Sequence, residues 1–243
     1  MSKELTTFMS KGRLPVVSDE QLASALTQTV DEAGGVTQAG LNFLGFSGKQ
    51  GTYSLGKAKD DVEEEQLFLV EPAATIAGWT CWKDSKPIGK HKWLSTDAYM
   101  RPELVVAEAD LEDHGPYRAN TGDGWKEMMG IGLIELVDMD TSIEYSTTAV
   151  SAINGLKDLI QEAADRLGRE EPSMPIIWLG REQFTAQGST NWKPTFNIEA
   201  WVTREAVAAF AEGRLSDEQL LAGAAPRKRA PAKKKAADKK KKR

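Results

Sequence analysis

A chain of 243 residues has room for a sizeable core, and its 40% hydrophobic and 28% charged residues are the balance of a soluble globular protein. A single cysteine excludes an internal disulfide, and with only two histidines beside it a closed Cys/His zinc site cannot be assembled. The net charge of −5 conceals a split: residues 226–243 hold 11 of the 31 Lys+Arg and 1 of the 36 Asp+Glu, which leaves −15 on the remainder against +10 in that segment.

In chain order, residues 1–17 have no periodicity, and no apolar block there resembles an export signal, so a reducing cytoplasm is the expected compartment. A helix is predicted from Ser18, where SDEQ forms a capping-box pattern, with Leu22, Ala25, Leu26 and Val30 at helical spacing and Gly34-Gly35 at its end. The period then shortens. LNFLGFSG, GTYSLGKAK, EQLFLVEP, GWTCWKD and KHKWL read as short strands separated by Gly, Pro or charge clusters, and KDSKP reads as the turn of a hairpin.

Residues 96–124 read as loop, followed by strands in WKEMMGIGLIELV and TSIEYSTT. AVSAINGLKDLIQEAADRLG is the clearest helix, with Val150, Ile153, Leu156, Ile160, Ala163 and Leu167 on one face and Gly168 ending it. The strands PIIWLGREQF and PTFNIEAWV follow, then two short helices, the second capped by Ser216. Short strands with helices before, between and after them predict an α+β fold: a small β-barrel or curved antiparallel sheet with flanking helices. No run approaches the roughly 20 apolar residues of a membrane span.

Catalytic motifs are missing. Around GFSGKQ, Phe43 stands where a phosphate loop begins with glycine, and Gln50 follows the lysine where Ser or Thr would hold magnesium. GIG at 130–132 lacks the third glycine of a dinucleotide fingerprint, and neither GxSxG nor HExxH occurs. The expectation is a non-enzyme with no cofactor and no metal.

The positive signals are aromatic and basic. Alternation along GWTCWKD puts Trp79 with Cys81 on one face and Thr80 with Trp82 on the other. Cys81, small and apolar, assigns its face to the interior together with Trp79. Trp82 is then outward, either as a stacking platform or as part of a strand covered on both sides. Lys83, Lys86, Lys90 and Lys92 follow it closely, and rings beside a cationic track suit single-stranded nucleic acid, because bases stack while cations follow phosphates.

GTYSLGKAK places Tyr53, Lys57 and Lys59 on one face, and AQGSTNWKPTF reads as a hairpin loop with Trp192 and Lys193 at its tip. Trp178, Trp201 and Phe196 lie in apolar strand contexts that suit packing. The segment 226–243, with Arg227, Lys228, Arg229, Lys233, Lys234 and Lys235, cannot bury apolar surface and reads as a disordered phosphate-binding tail, the alternative being a tail that folds back on the acidic body.

The spacing of GTYSLGKAK, GWTCWKDSKPIGKHKW, PIIWLGREQF and KPTFNIEAWV over residues 40–203 resembles phage-encoded single-stranded-DNA-binding proteins of the OB-fold type. The resemblance implies an OB-like globular domain over 18–225 that coats single strands in replication or recombination within the host bacterial cytoplasm. It also implies a binding face formed by Tyr53, Lys57, Trp82, Lys83, Lys86, Trp192 and Lys193. Replication or recombination proteins are the implied protein partners, with self-association alongside.

One departure stands out: replicative members of that family commonly end in acidic tails, and here the segment is basic. That leaves two alternatives. One is a self-assembling protein that packs duplex DNA with its tail, and the other is a protein-binding module with a localising tail. Through the tail, duplex DNA or RNA would also be partners.

Overall fold

The computed structural model describes residues 42–56, 60–63, 65–118, 122–186 and 188–223. The helix expected at Ser18, Lys57 and Lys59, and the basic segment with Arg227, Lys228, Arg229, Lys233, Lys234 and Lys235, lie outside the described residues.

Among the described residues nine strands form one sheet: β1 (Asn42–Ser47), β2 (Thr52–Leu55), β3 (Asp60–Asp61), β4 (Leu67–Lys83), β5 (Lys86–Leu94), β6 (Gly124–Glu135), β7 (Asp138–Thr147), β8 (Met174–Ala186) and β9 (Ser189–Val202). Their order is β3-β2-β1-β7-β6-β4-β8-β9, with β5 joined to β4. Every pairing is antiparallel except that of β1 with β7. The helices among the described residues are α1 (Ser95–Met100), α2 (Val150–Leu167), α3 (Arg204–Ala211) and α4 (Asp217–Ala222). None is long and apolar enough to cross a membrane.

The central strand β4 is continuous where the sequence suggested two separate strands. Glu71 pairs with Gly132 and Ile76 with Gly130, so Pro72–Thr75 bulge opposite a single residue of β6. Proline has no N–H to offer a ladder, and a bulge is where a strand tolerates it. Side chains satisfy the loosened backbone. Glu71 Oε1 accepts from the Ala73 N–H at 2.9 Å, the Thr75 hydroxyl donates to Pro72 O at 2.7 Å, and the Ser95 hydroxyl donates to Thr75 O at 3.1 Å. Before the bend β4 pairs with β6 and β8, and after it with β6 and β5.

The sheet is strongly curled into a half-barrel. Strands far apart in the order meet across the curl: the Trp192 N–H donates to Gly48 O at 2.8 Å, Arg181 Nη1 to Gly51 O at 2.8 Å, and the Tyr53 hydroxyl to Gly180 O at 2.7 Å. Helix α2 packs against this curl, burying Ile153, Leu156, Leu159, Ile160, Ala164 and Leu167 among Phe68, Val70, Ile131, Leu133, Ile143 and Tyr145. The expected helical stripe is present except at Val150, which is exposed in the first turn. Gly168 caps the helix, its N–H donating to Ala164 O.

On the opposite face, Leu69, Ile134, Ile176 and Val202 pack with Val207 of α3 and Leu220 of α4. Ser216 makes the expected capping box with Gln219. Tyr53 belongs to the α2-side core and is 8% exposed, and burial pushes its phenol well above the ordinary range. It is therefore not on an open binding face. Its partners across the curl, distant in sequence, take it inside.

Among the described residues, two ion pairs involve a carboxylate buried in this interior. Lys92 Nζ is paired with Glu144 Oε2, both side chains almost fully buried. Lys92 therefore does not join a solvent-facing cationic track. Removing one partner of a buried pair leaves an uncompensated charge, so Lys92→Met should cost about 3–5 kcal/mol in a denaturant titration. Lys92→Met combined with Glu144→Leu should recover most of that loss.

Glu71, at the bend, is paired with Arg204 at 3.8 Å. Burial nonetheless holds its carboxyl above the ordinary value, outweighing the opposing pull of Arg204 and of the Ala73 N–H. The folded chain keeps this proton to higher pH than the unfolded chain, so stability falls as pH rises from the ordinary carboxylate value toward the raised one. Glu71→Gln removes that dependence. At neutral pH the variant should melt above the parent, and the gap should close as the pH falls to about 4.5, a comparison readable from thermal melts across pH.

Candidate nucleic-acid interface

The hairpin of β4 and β5 turns at Asp84-Ser85, whose φ values of 53° and 62° are those of a two-residue turn matched to strand twist. Lys83 and Lys86 pair directly across it. The next pairs are Trp82 with Pro87 and Cys81 with Gly89, so Ile88 is an extra, exposed residue. An uninterrupted register would have continued toward Trp79 opposite Lys90, whereas the bulge moves His91 opposite Trp79.

That one-residue slip sorts the lysines. Lys83 and Lys86 share the face of Cys81 and Trp79, while Lys90 lies opposite Thr80, on the face of Trp82. On β6, Thr80 is also opposite Lys126. Lys92, carried to the same face opposite Gly78, turns inward to Glu144. Lys86 and Lys90 are exposed, and Lys83 is half-buried with its ammonium donating to His114 O at 2.9 Å.

The Trp79/Cys81 face is roofed by the connection between α1 and β6. Trp79 Nε1 donates to Val106 O at 2.9 Å, and Trp125 Nε1 to Glu112 O at 2.8 Å. Cys81 Sγ and the Tyr117 hydroxyl are 3.5 Å apart, and the same hydroxyl accepts from the His114 N–H at 3.1 Å. The Trp125 ring has His91 at 5.4 Å and His114 at 5.7 Å between ring centres. Gly89 makes this packing fit, because a Cβ there would come within 3.1 Å of the Trp125 ring.

Cys81 is fully buried, as its residue type suggested. Trp79 is only half-buried, since a loop rather than a helix covers it. Trp82 is also half-buried, with an indole N–H that is shielded and has no hydrogen-bond partner. Trp93 is buried with Ala77 and Ala98.

Four of the seven tryptophans, both histidines and the one cysteine thus converge on a single end of the sheet. His91, His114, Tyr117 and Trp125 were not singled out as site residues from the sequence. The hairpin pattern carried a hint of His91, but only the bulge register and the covering loop bring the other three to it.

The second predicted cluster is elsewhere. Leu67 of β4 pairs with Trp178 of β8, and the two strands run in opposite directions from there. The turn at Asp84-Ser85 and the turn preceding Ser189 therefore lie at opposite ends of the ladder. Trp192 is not at a loop tip: it pairs with Gln183 within the strand, and its ring rests on Gly51, where a Cβ would be 2.7 Å away. The Arg181 guanidinium lies 5.6 Å from the same ring.

Lys193, the next residue, faces the other side of β9 and pairs with Glu182 at 3.0 Å. A cleft of about 380 Å³ there is lined by Tyr53, Arg181, Asp61, Glu63 and Glu65, with acids outnumbering the one arginine. The single face expected to unite Tyr53, Trp82, Lys83, Lys86, Trp192 and Lys193 is thus divided between two ends of the molecule. Tyr53 and Trp192 are committed to closing the curl.

Because Cys81 is sealed beneath Tyr117 and the Trp125 roof, a thiol reagent should label it at the rate of unfolding in the native protein. Tyr117→Ala should speed that labelling while far-ultraviolet circular dichroism stays unchanged. No family model, curated protein or solved structure matches the chain.

Proposed function

We propose that this protein binds single-stranded DNA without catalysis, through the β4–β5–β6 end of the sheet. The observation that carries the reading is the company kept there. Trp79, Trp82 and Trp125 are each only half-buried, and the exposed Lys86 and Lys90 flank them on a body whose remaining charge is strongly negative. Half-open rings offer π-faces to any base, and cations at their rim follow a phosphate chain without reading sequence. Trp82, Lys90 and Lys126 form one side of this end, and Lys83, Lys86 and Trp125 the other, so a strand would wrap the hairpin rather than lie across a flat sheet.

An OB-like reading of the curl belongs to the same proposal, because partly open barrels of that kind bind oligonucleotides on strand faces and connecting loops. Coating strands exposed in replication or recombination is the role such binding serves. The basic segment 226–243 adds sequence-independent phosphate contacts in this scheme.

The test is tryptophan fluorescence with oligo-dT against duplex of equal length. Oligo-dT should quench emission and bind more tightly. Trp82→Ala should weaken that binding by about 1–3 kcal/mol with little change in melting temperature. Lys86→Glu with Lys90→Glu should flatten the log–log salt dependence by about 0.7 for each phosphate no longer neutralised. Equal affinity for duplex with unchanged emission would instead point to a packing protein. Affinity that vanishes once residues 226–243 are removed would leave the hairpin without a role.

A further inference from the structure

An apolar opening lies far from the hairpin, where β3, the connection into β4, the β6–β7 turn and α4 meet. It is a cleft of about 670 Å³. Leu55, Leu67, Leu136, Phe210 and Leu221 form its floor, and Val137 stands beside them 82% exposed. Its rim is acidic: Asp61, Glu63, Glu65, Glu135 and Asp217 line it, and no described lining residue is basic. An apolar floor with a one-signed rim suits a ligand with cationic heads and aliphatic stems, which is what lysine and arginine present.

We propose that the cleft docks the chain's own basic segment, residues 226–243. Helix α4 supplies Asp217, Leu220 and Leu221 to the cleft and ends at Ala222, so the segment begins only a few residues past the lining itself. Three extended residues span roughly 10 Å, which puts Arg227 within reach of the rim. The segment's 11 basic residues, against one acid, complement the five rim carboxylates. Tethering raises the local concentration of the segment to the millimolar range, an advantage that no free basic peptide or second copy shares. Docking withdraws those cations from other polyanions at low ionic strength and releases them as salt screens the rim. The inference goes beyond the nucleic-acid reading and stands without it.

Carbodiimide coupling tests it, since this reagent joins a lysine amine to a carboxylate in direct contact, forming an amide with loss of water. The full chain, mixed as isotopically labelled and unlabelled copies and free of nucleic acid, is coupled at low salt and mapped by mass spectrometry. The expected product joins the lysines of 233–242 to Asp61, Glu63, Glu65 or Asp217 within one copy. It should be lost at high salt and in the full-length D61N/E63Q/E65Q/D217N variant, whose circular dichroism checks folding. Links scattered over the other surface acids, or links between differently labelled copies, would overturn the proposal. Because no nucleic acid is present, either result leaves the oligo-dT experiment to be judged by itself.

Discussion

The bend at Pro72–Thr75 is the feature on which the rest of the architecture depends. A straight strand of β4's length would need the same neighbours throughout, and the sheet would be open and long. The bulge lets the first part of β4 lie between β6 and β8 and the second part between β6 and β5. The price is a run of loosened backbone groups and a buried carboxylate at Glu71, offset by hydrogen bonds from Ala73, Thr75 and Ser95 and by the nearby Arg204. One strand thereby serves two regions: a doubly covered core under α2, α3 and α4, and a hairpin end covered on one side only by a loop.

The hairpin end follows from a second, smaller irregularity. Ile88 bulges out of β5, so Gly89 rather than a larger side chain faces Cys81. Trp125 and His114 can then pack over that glycine. The same slip separates Lys86 from Lys90 and turns Lys92 into the interior, where Glu144 balances its charge. Packing the rings and placing the cations are thus one geometric event. Its outcome is an end of the molecule with part-open indoles and lysines on both sides, unlike the acid-lined clefts at the other end.

Charge is organised at the same scale. Two clefts beside β3 share the acids Asp61, Glu63 and Glu65, and one of them extends to Asp217 of α4. The strongest cationic run in the chain follows α4 directly. In the proposed reading a polyanion is drawn to Lys86 and Lys90 of the hairpin, and the basic segment is tethered on the side of the acid-lined clefts. If the segment docks as proposed, its binding elsewhere competes with the carboxylates of that cleft.

Local physics was legible without a structure. The 3.6-residue repeat from Ile153 to Leu167, the glycine that ends it, the Ser216 capping box and the KDSKP turn depend on neighbours within a few positions, and each is where the sequence puts it. Cys81 is buried as its small apolar side chain implies. The continuity of β4 through Pro72 was hidden, because a proline breaks a local pattern whether or not a bulge absorbs it. The Ile88 bulge was hidden too, since period-2 reading assumes an unbroken register. Tyr53, Lys92 and Trp192 were assigned to an open face because their residue types suit one. Their fates were decided by Gly180, Glu144 and Gly51, each more than 50 positions away, and contacts of that separation exist only after the sheet has curled. Sequence alone therefore determined the long helix and its end, the Ser216 cap, most strand positions and the segregation of charge, whereas helix α1 at Ser95–Met100 fell in a stretch read as loop. Tertiary structure alone decided how the strands join and which aromatic and basic side chains face water, because burial depends on the register and curvature that bring distant strands together.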